Sequence, residues 1–498
     1  MVPTKQKTIK NPRVRIAPSP TGYFHIGTAR TALFNFLVAR KYGGKFILRI
    51  EDTDIERSKP EFEKDIIDNM KWLGLLWDEG VEIGGEYGPY RQSEKKEIYK
   101  KYLKELINKG FAYYCFCTPE ELEIKRQEMM SRGVTPIYDG TCRNLSAKEV
   151  EEKLKKGTPF VIRLKMPSKE FIVNDLIRGR VKFDGKLIGD FIIAKDLQNP
   201  LYNFSVVVDD YEMKITHVIR GEEHLSNTPK QLAIYEAFGW SPPEFAHLPL
   251  ILNPDRSKMS KRFGDVALKD FRKKGYLPQA ILNFLLYLGW HPKEEIGKPI
   301  NEILDLEEMI EQFDFFRIQK AGAVFNIEKL NWINTEHIKR LSLDELTAQI
   351  MPFLKEKFGE ALLTDLELIK KVVDLHRQRI KTLNELPIIA SYFFVLPDYD
   401  EELLYWQNMT KDQLIDNLDF LYNLLSNLDP KLFTKQQLEA LIMPEAEKRG
   451  RGTILWPLRV ALSGLKNSAG PFEIAEILGK TETLRRLNLA REKVKNSD

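Results

Sequence analysis

Two short segments, more than two hundred residues apart, carry groups suited to a nucleotide polyphosphate. The first is Pro18–Thr28 (PSPTGYFHIGT), which closes an apolar run and opens a helical pattern. At such a junction free backbone N–H groups and the helix dipole favour anions. His25 can donate a hydrogen bond to a phosphate oxygen as charge develops there. Gly27, with no side chain, lets a flat base approach the backbone. The second segment, Lys258-Met259-Ser260-Lys261-Arg262, sets three cations in five residues after the apolar Leu248–Leu252 and a turn at Asn253-Pro254-Asp255. Taken singly, the first also reads as a Pro/Gly loop with a capping histidine and the second as a solvated charge run. Together they point to triphosphate chemistry. A third constellation, Cys115-x-Cys117-x24-Cys142, offers three thiolates to a tetrahedral structural metal, one short of the usual four ligands; its bland reading is three cysteines left over from a lost site.

The elements that would position these groups follow from apolar spacing. Val14–Ala17 reads as a buried strand, and Ile26, Ala29, Leu33, Phe36 and Leu37 recur at helical spacing as far as Gly43-Gly44. Lys45–Ile50 reads as a second strand, ending in Glu51, Asp52 and Asp54. This βαβ unit predicts a parallel sheet with ligands at the carboxyl ends of its strands, which puts Pro18–Thr28 and Glu51–Asp54 on one rim. From about Ile107 to Gly189 the pattern changes: a charged helix (Pro119–Gly133), strand-like runs at Phe160–Met166 and Phe171–Ile177, and all three cysteines read as an insertion. Strand character is expected to resume at Phe191–Ala194, Phe204–Val208 and Ile215–Ile219. Beyond about Asp265 helical patterns take over, as at Leu277–Leu288 and Ile369–Leu386.

Composition sets broad limits. A chain of 498 residues exceeds what one core usually supports, and 43% hydrophobic with 30% charged residues is ordinary for a globular protein. The net charge of +4 neither requires nor excludes nucleic acid, since local basic patches coexist with a near-neutral whole. Three cysteines are too few for a disulfide framework, and neither a secretory leader nor a membrane span of roughly 20 apolar residues is evident, so a cytosolic location is expected.

An HIGT loop after the first strand, joined by KMSKR in the second half of a split parallel sheet, resembles the class I aminoacyl-tRNA synthetases. Further segments resemble their glutamyl branch in its bacterial type: Arg15–Gly22 (RIAPSPTG), Arg49–Asp54 (RIEDTD), Tyr202 with Val208-Asp209-Asp210, and Val218–His224 (VIRGEEH). The resemblance spans essentially the whole chain. It implies a Rossmann-like α/β catalytic domain at 11–106 and 191–256, split by an α+β acceptor-stem domain at 107–190. The KMSKR loop and stem-contact helices would occupy 257–335, and an all-helical anticodon-binding region 336–498. It implies two steps, formation of glutamyl-adenylate from glutamate and ATP with Mg2+, then transfer to the terminal ribose of tRNA.

By the same resemblance, His25, Thr28, Lys258 and Lys261 serve the phosphoryl chemistry, and Gly27, Glu223, Met259, Ser260 and Arg262 complete the ATP site. Arg15, Ala17, Ser19, Glu51, Tyr202 and Arg220 form the glutamate pocket, the arginines taking substrate carboxylate and Glu51 the α-ammonium. The charge pattern agrees, since a dicarboxylate with one ammonium needs about two cations and one anion around it. Cys115, Cys117, Cys142 and Tyr138 resemble a zinc knob. Asn144 stands where one related pattern has histidine, while Tyr138 matches another. Val206 and His224 replace an asparagine and a tryptophan of some relatives, so those contacts do not transfer. Arg377, Arg379, Arg449 and Arg451, in two basic clusters of the helical third, are candidate tRNA contacts, and the family expectation is a monomer. Three rivals are a small-molecule nucleotidyltransferase, a truncated relative that glutamylates a modified tRNA base, and a non-enzymatic tRNA- or zinc-binding scaffold. The helical third argues against the first two, and the presence of both signature loops against the last.

Overall fold

The computed structural model describes residues 9–259, 267–293 and 301–496. It has two compact units: Met1–Arg272 with Pro278–Leu330, and Lys273–Leu277 with Asn331–Asp498.

In the first unit β1 (Arg13–Ile16), β2 (Lys45–Leu48) and β3 (Glu79–Gly80) pair in parallel, in that order. The helix Ile26–Lys41 crosses from β1 to β2 and packs on β1 and on the helix Pro278–Tyr287, so its residues are buried around most of its circumference. It can turn tightly into β2 because a Cβ at Gly44 would lie 1.9 Å from the Pro12 carbonyl oxygen; only glycine fits there.

The insertion holds an antiparallel sheet of β4 (Ala112–Cys115), β5 (Val161–Leu164) and a third strand, with a hairpin of β6 (Glu170–Asp175) and β7 (Gly179–Asp184). The third strand is β8 (Phe191–Ala194). Phe171, Val173 and Asp175 of β6 alternate inward with the strand period of two. The helix Pro119–Ser131 starts from a Thr118–Glu121 capping box and buries none of its residues.

The chain then returns to the parallel layer as β9 (His217–Gly221) and β10 (Glu244–Leu248), paired in parallel. Thr216 donates its N–H to Arg13 O at 3.0 Å, which sets β9 beside β1. The layer is thus two hydrogen-bonded sheets, β3-β2-β1 and β9-β10, with β9 beside β1, and the crossovers leave β1 and β9 in opposite directions. Such a switch point opens a crevice beyond the strand ends. Two short strands, β11 (Ile251–Leu252) and β12 (Ala323–Val324), pair in parallel, so some β structure persists past Asp265 where the sequence signal fades.

Phe204–Val208, expected as a strand, lies in the helix Tyr202–Glu212. Phe204 to Asp210 are all buried, and a helix enclosed on every side has the same unbroken apolar run as a central strand. The difference matters, because the helical repeat returns Tyr202, Asp209 and Asp210 to neighbouring positions two turns apart, where a strand would spread them.

Among its described residues the second unit is helical. Ile369–Leu386 is not one helix: Leu366–His376 stops at a cap on Arg377, and a new short helix starts at Leu386 with Pro387 in its first turn. Pro387 lacks an N–H and so fits the first turn of a helix, where that group would have no partner; the helix therefore begins at Leu386.

Candidate active site

His25 is the N-cap of the helix Ile26–Lys41. Its Nδ1 accepts the backbone N–H of Gly27 (3.1 Å) and Thr28 (3.3 Å). With that lone pair used, a neutral ring carries its proton on Nε2, which lies 3.0 Å from Thr28 Oγ1. The cap therefore leaves Nε2–H as the ring's donor, beside Thr28 Oγ1, and both residues line the crevice. A Cβ at Gly27 would sit 3.1 Å from the His25 ring, so the glycine also gives that ring its place. Ala267 bridges to His25 and Leu268 N–H to Phe24 O (2.8 Å), while Lys258 bridges to Leu252. Both described flanks of the second basic segment thus join the elements around the crevice. Ser260, Lys261 and Arg262 themselves lie outside the described residues.

The crevice is a cavity of about 1240 Å³. Arg15, Ala17, Ser19, Glu51, Tyr202 and Arg220 line it. So do His25, Gly27, Thr28, Glu223, Lys258 and Met259. The first set is centred on buried charge and the second on the helix N-terminus and the exposed Lys258.

Arg15 is buried and donates to both carboxylate oxygens of Asp210, at 3.1 and 3.3 Å. Arg49 bridges Asp210 (2.8 Å) and Glu51 (2.9 Å), and Lys95, Gln92 and Tyr99 bind Asp209. Three buried cations, Arg15, Arg49 and Lys95, thus meet three buried carboxylates, Glu51, Asp209 and Asp210. Burial pushes Glu51 above the ordinary carboxylate value, although Arg49 and Arg15 pull it down. At Asp210 burial acts the same way, but Arg15 and Arg49 outweigh it and hold the group low.

Arg220, also buried, has a different environment. Its Nε donates to His247 Nε2 (3.1 Å) and its Nη2 to Thr228 Oγ1 (2.9 Å) and Gln231 Oε1 (2.8 Å). Nη2 also reaches the His224 carbonyl oxygen at 3.5 Å; every one of those acceptors is neutral, and Nη1 has no partner among the described residues. Burial lowers its pKa, since no ion pair compensates the charge among the described residues. Beside it, the Tyr202 hydroxyl meets His224 Nδ1 at 3.2 Å. Burial and then the Arg220 charge lower His224 to about 4, so its ring is neutral at pH 7.

In the insertion the thiol sulfurs of Cys115, Cys117 and Cys142 lie within 4.8 Å of one another, Cys117 to Cys142 at 3.6 Å. Tetrahedral zinc with Zn–S of about 2.3 Å places sulfurs about 3.8 Å apart, so this set fits. The Tyr138 hydroxyl is 3.3 Å from Cys115 Sγ and 3.6 Å from Cys117 Sγ. Burial pushes the Cys117 thiol up to about 11, whereas at Cys115 the Tyr138 and Arg163 hydrogen bonds overcome burial and leave the thiol below its usual value. In the helical unit Arg377 donates to Lys339 O (3.0 Å) and Leu341 O (2.7 Å). Arg449 bonds Asp416 and Arg451 bonds Glu447, while Arg379 is exposed.

Sequence reasoning assigned no role to Asp210, Arg49, His247 or Arg30. Asp210 and Arg49 stood inside segments already singled out, and the buried-helix pattern hid how Asp210 reaches Arg15. Arg30, in the second turn of the signature helix, lines the cavity and donates to Leu288 O (2.8 Å), and burial lowers its pKa to about 10. His247 had no motif around it.

Residues 12–332 match the family described as tRNA synthetases class I (E and Q), catalytic domain, and residues 345–491 match an anticodon binding domain. The chain is 45% identical to glutamate–tRNA ligase 2 of Caldicellulosiruptor saccharolyticus over 97% of its own length and 99% of the relative. It is 46% identical to glutamate–tRNA ligase of Carboxydothermus hydrogenoformans, covering 95% and 98%. A crystal structure of a glutamate tRNA ligase from Elizabethkingia meningosepticum in complex with its amino acid superposes with a TM-score of 0.86 at 36% identity, covering 97% of this chain and all of the other.

Proposed function

The chain belongs to the class I tRNA synthetases of the glutamate and glutamine branch, and we propose that it ligates L-glutamate to tRNA through a glutamyl-adenylate formed in the cavity at the β1/β9 switch point. The observation that carries the substrate assignment is Arg220, a buried guanidinium with Nη1 unpartnered in a cavity it shares with Arg15 and Glu51. A substrate carboxylate supplies what that charge lacks. Arg15, already opposed by Asp210, assists from the other side, and Glu51 takes the α-ammonium.

ATP enters as its magnesium complex. The α-carboxylate attacks the α-phosphorus, the bond to the bridging oxygen breaks, and pyrophosphate leaves. Nε2–H of His25 and the helix N-terminus stabilise charge on the phosphoryl oxygens, with Lys258 and Lys261 on the leaving polyphosphate and Arg262 assisting. The tRNA terminal hydroxyl then displaces AMP from the adenylate. Cys115, Cys117 and Cys142, with Tyr138 as the fourth group, would hold one structural zinc, whose contribution is to cross-link the insertion. The insertion serves the acceptor stem, the helical unit reads the anticodon, and the enzyme acts as a monomer.

Glutamate and glutamine share a shape, so the pocket must select by charge. Glutamine would leave a buried arginine without its partner at a cost of about 2–5 kcal/mol, which is roughly thirty-fold to several-thousand-fold in rate. Wild type should charge tRNA with glutamate and reject glutamine. Arg15→Ala and Arg220→Ala should each lose most glutamate activity while changing the glutamine rate comparatively little. Equal loss with both amino acids would move the arginines to a shared group and refute charge selection at this place.

A further inference from the structure

We propose that His247, held by Asp175, is a positioning residue that sets the roll of the Arg220 guanidinium and thereby aims Nη1 at the substrate carboxylate; this rests on the reading of Arg220 given above.

The sheet register makes the pair. His247 on β10 is the direct partner of Arg220 on β9, so both side chains leave the same face. Arg220 has five N–H groups. One, on Nε, goes to His247 Nε2, which Thr228 Oγ1 also reaches at 3.2 Å, and the two on Nη2 go to Thr228 and Gln231, with the His224 carbonyl farther off at 3.5 Å. Among the described residues only the two on Nη1 remain without a partner. The fork is therefore held at two points, and the Nε contact is the one that prevents rotation about Nη2.

His247 is fully buried and is not among the cavity-lining residues. Its Nδ1 lies 2.6 Å from Asp175 Oδ2. The other oxygen, Oδ1, accepts backbone N–H groups from Ile177 (2.9 Å), Arg178 (2.7 Å) and His247 itself (3.3 Å). A carboxylate only accepts and Arg220 Nε only donates, so one state of the ring satisfies both neighbours: neutral, with the proton on Nδ1. Asp175 thus acts through the imidazole, presenting a lone pair to Arg220. Asp175 ends β6 of the inserted hairpin, which Leu176 N–H ties to Phe245 O of β10 (2.9 Å). One strand of the insertion consequently orients a group of the amino-acid pocket.

The isosteric substitution Asp175→Asn makes this testable. Three backbone donors converge on Oδ1, so the amide must keep its oxygen there and turn its NH2 toward His247. The ring then accepts at Nδ1 and carries its proton on Nε2, where it meets the Arg220 Nε–H donor against donor and has Thr228 Oγ1, 3.2 Å away, as its remaining acceptor. His247→Leu removes the acceptor outright. His247→Gln can restore both contacts, its oxygen toward Arg220 and its NH2 toward Asp175.

The measurement is steady-state charging of tRNA by each full-length variant, with KM for glutamate and for ATP taken separately, the glutamate-over-glutamine preference, and thermal unfolding beside them. Asp175→Asn and His247→Leu should raise KM for glutamate tenfold or more, keep KM for ATP within about twofold, and erode the preference. His247→Gln should stay within about threefold of wild type. If Arg220→Ala abolishes glutamate selection but folded Asp175→Asn or His247→Leu leaves KM for glutamate within twofold, the positioning role is wrong and the reading of Arg220 stands. A His247→Gln variant as impaired as His247→Leu also overturns it. Should Arg220→Ala leave glutamate selection intact, the reading of Arg220 fails, and this inference with it.

Discussion

At His25 a helix cap and the proposed phosphate donor share one ring, and the bonding at Nδ1 allows them to be separated. Asparagine is among the best N-caps, so His25→Asn should keep the two backbone N–H groups satisfied and leave the melting temperature nearly unchanged. It lacks the Nε2 donor, and adenylate formation measured with tRNA present should fall by about 10²–10³. An unimpaired rate would remove His25 from the phosphoryl chemistry. A second histidine carries a pH signature. Burial first, then Arg220, bring His224 down from an ordinary 6.5 to about 4. Between those values the unfolded chain binds more protons than the folded one, so stability falls as pH drops from about 6.5 toward 4 and is insensitive to this group above 6.5. The urea midpoint of wild type should decline across that window, and His224→Asn should flatten the decline. An unchanged slope would show that His224 is not held neutral. Neither feature is visible from residue type alone, since both depend on what surrounds the ring.

Among the elements, the insertion sets a locally patterned helix close in sequence to the three-thiol cluster proposed to hold zinc. Its helix Pro119–Ser131 buries no residue and starts, with a capping box, two residues beyond Cys117 of the thiol cluster, which begins at the end of β4. Purified without chelator, the protein should contain about one zinc per chain. Cys115→Ser should release it and speed proteolysis near residues 119–134, while adenylate formation survives better than tRNA charging. Metal-free wild type would eliminate the zinc. The capped, amphipathic or glycine-punctuated elements were legible in the sequence: β1, the signature helix, β2, Pro119–Ser131 and Pro278–Tyr287. Phe204–Val208 was not, because periodicity disappears when every face is buried. The break after His376 was missed because a charged run and Pro387 punctuate a pattern that otherwise keeps its apolar spacing.

For the whole molecule the question is how a chain of net charge +4 holds a polyanion. Each phosphate contact makes affinity fall with salt, by roughly 0.7–0.9 per contact on a log–log plot. Arg379→Ala and Arg451→Ala should each make that slope for tRNA shallower by roughly one contact. Arg377→Ala should leave it unchanged and instead lower the stability of the helical unit by about 1–3 kcal/mol, because its guanidinium holds the carbonyls of Lys339 and Leu341. Filter binding across a salt series, with unfolding beside it, checks both; a shallower slope for Arg377→Ala would return that residue to the RNA surface.

The sequence by itself determined the class of chemistry, the parallel layer, the insertion and the helical third, because motif spacing and apolar period are local properties of a chain. It also named twelve described residues that line one cavity. Only the tertiary structure decided which of them has an unspent charge. Arg15 and Arg220 are the same residue type in equally strong motifs, yet a helix brings Asp210 against one and a strand register brings neutral His247 against the other. Burial makes that difference count, since in water either arginine would be solvated alike, whereas inside the protein each cation takes its character from the few groups that reach it.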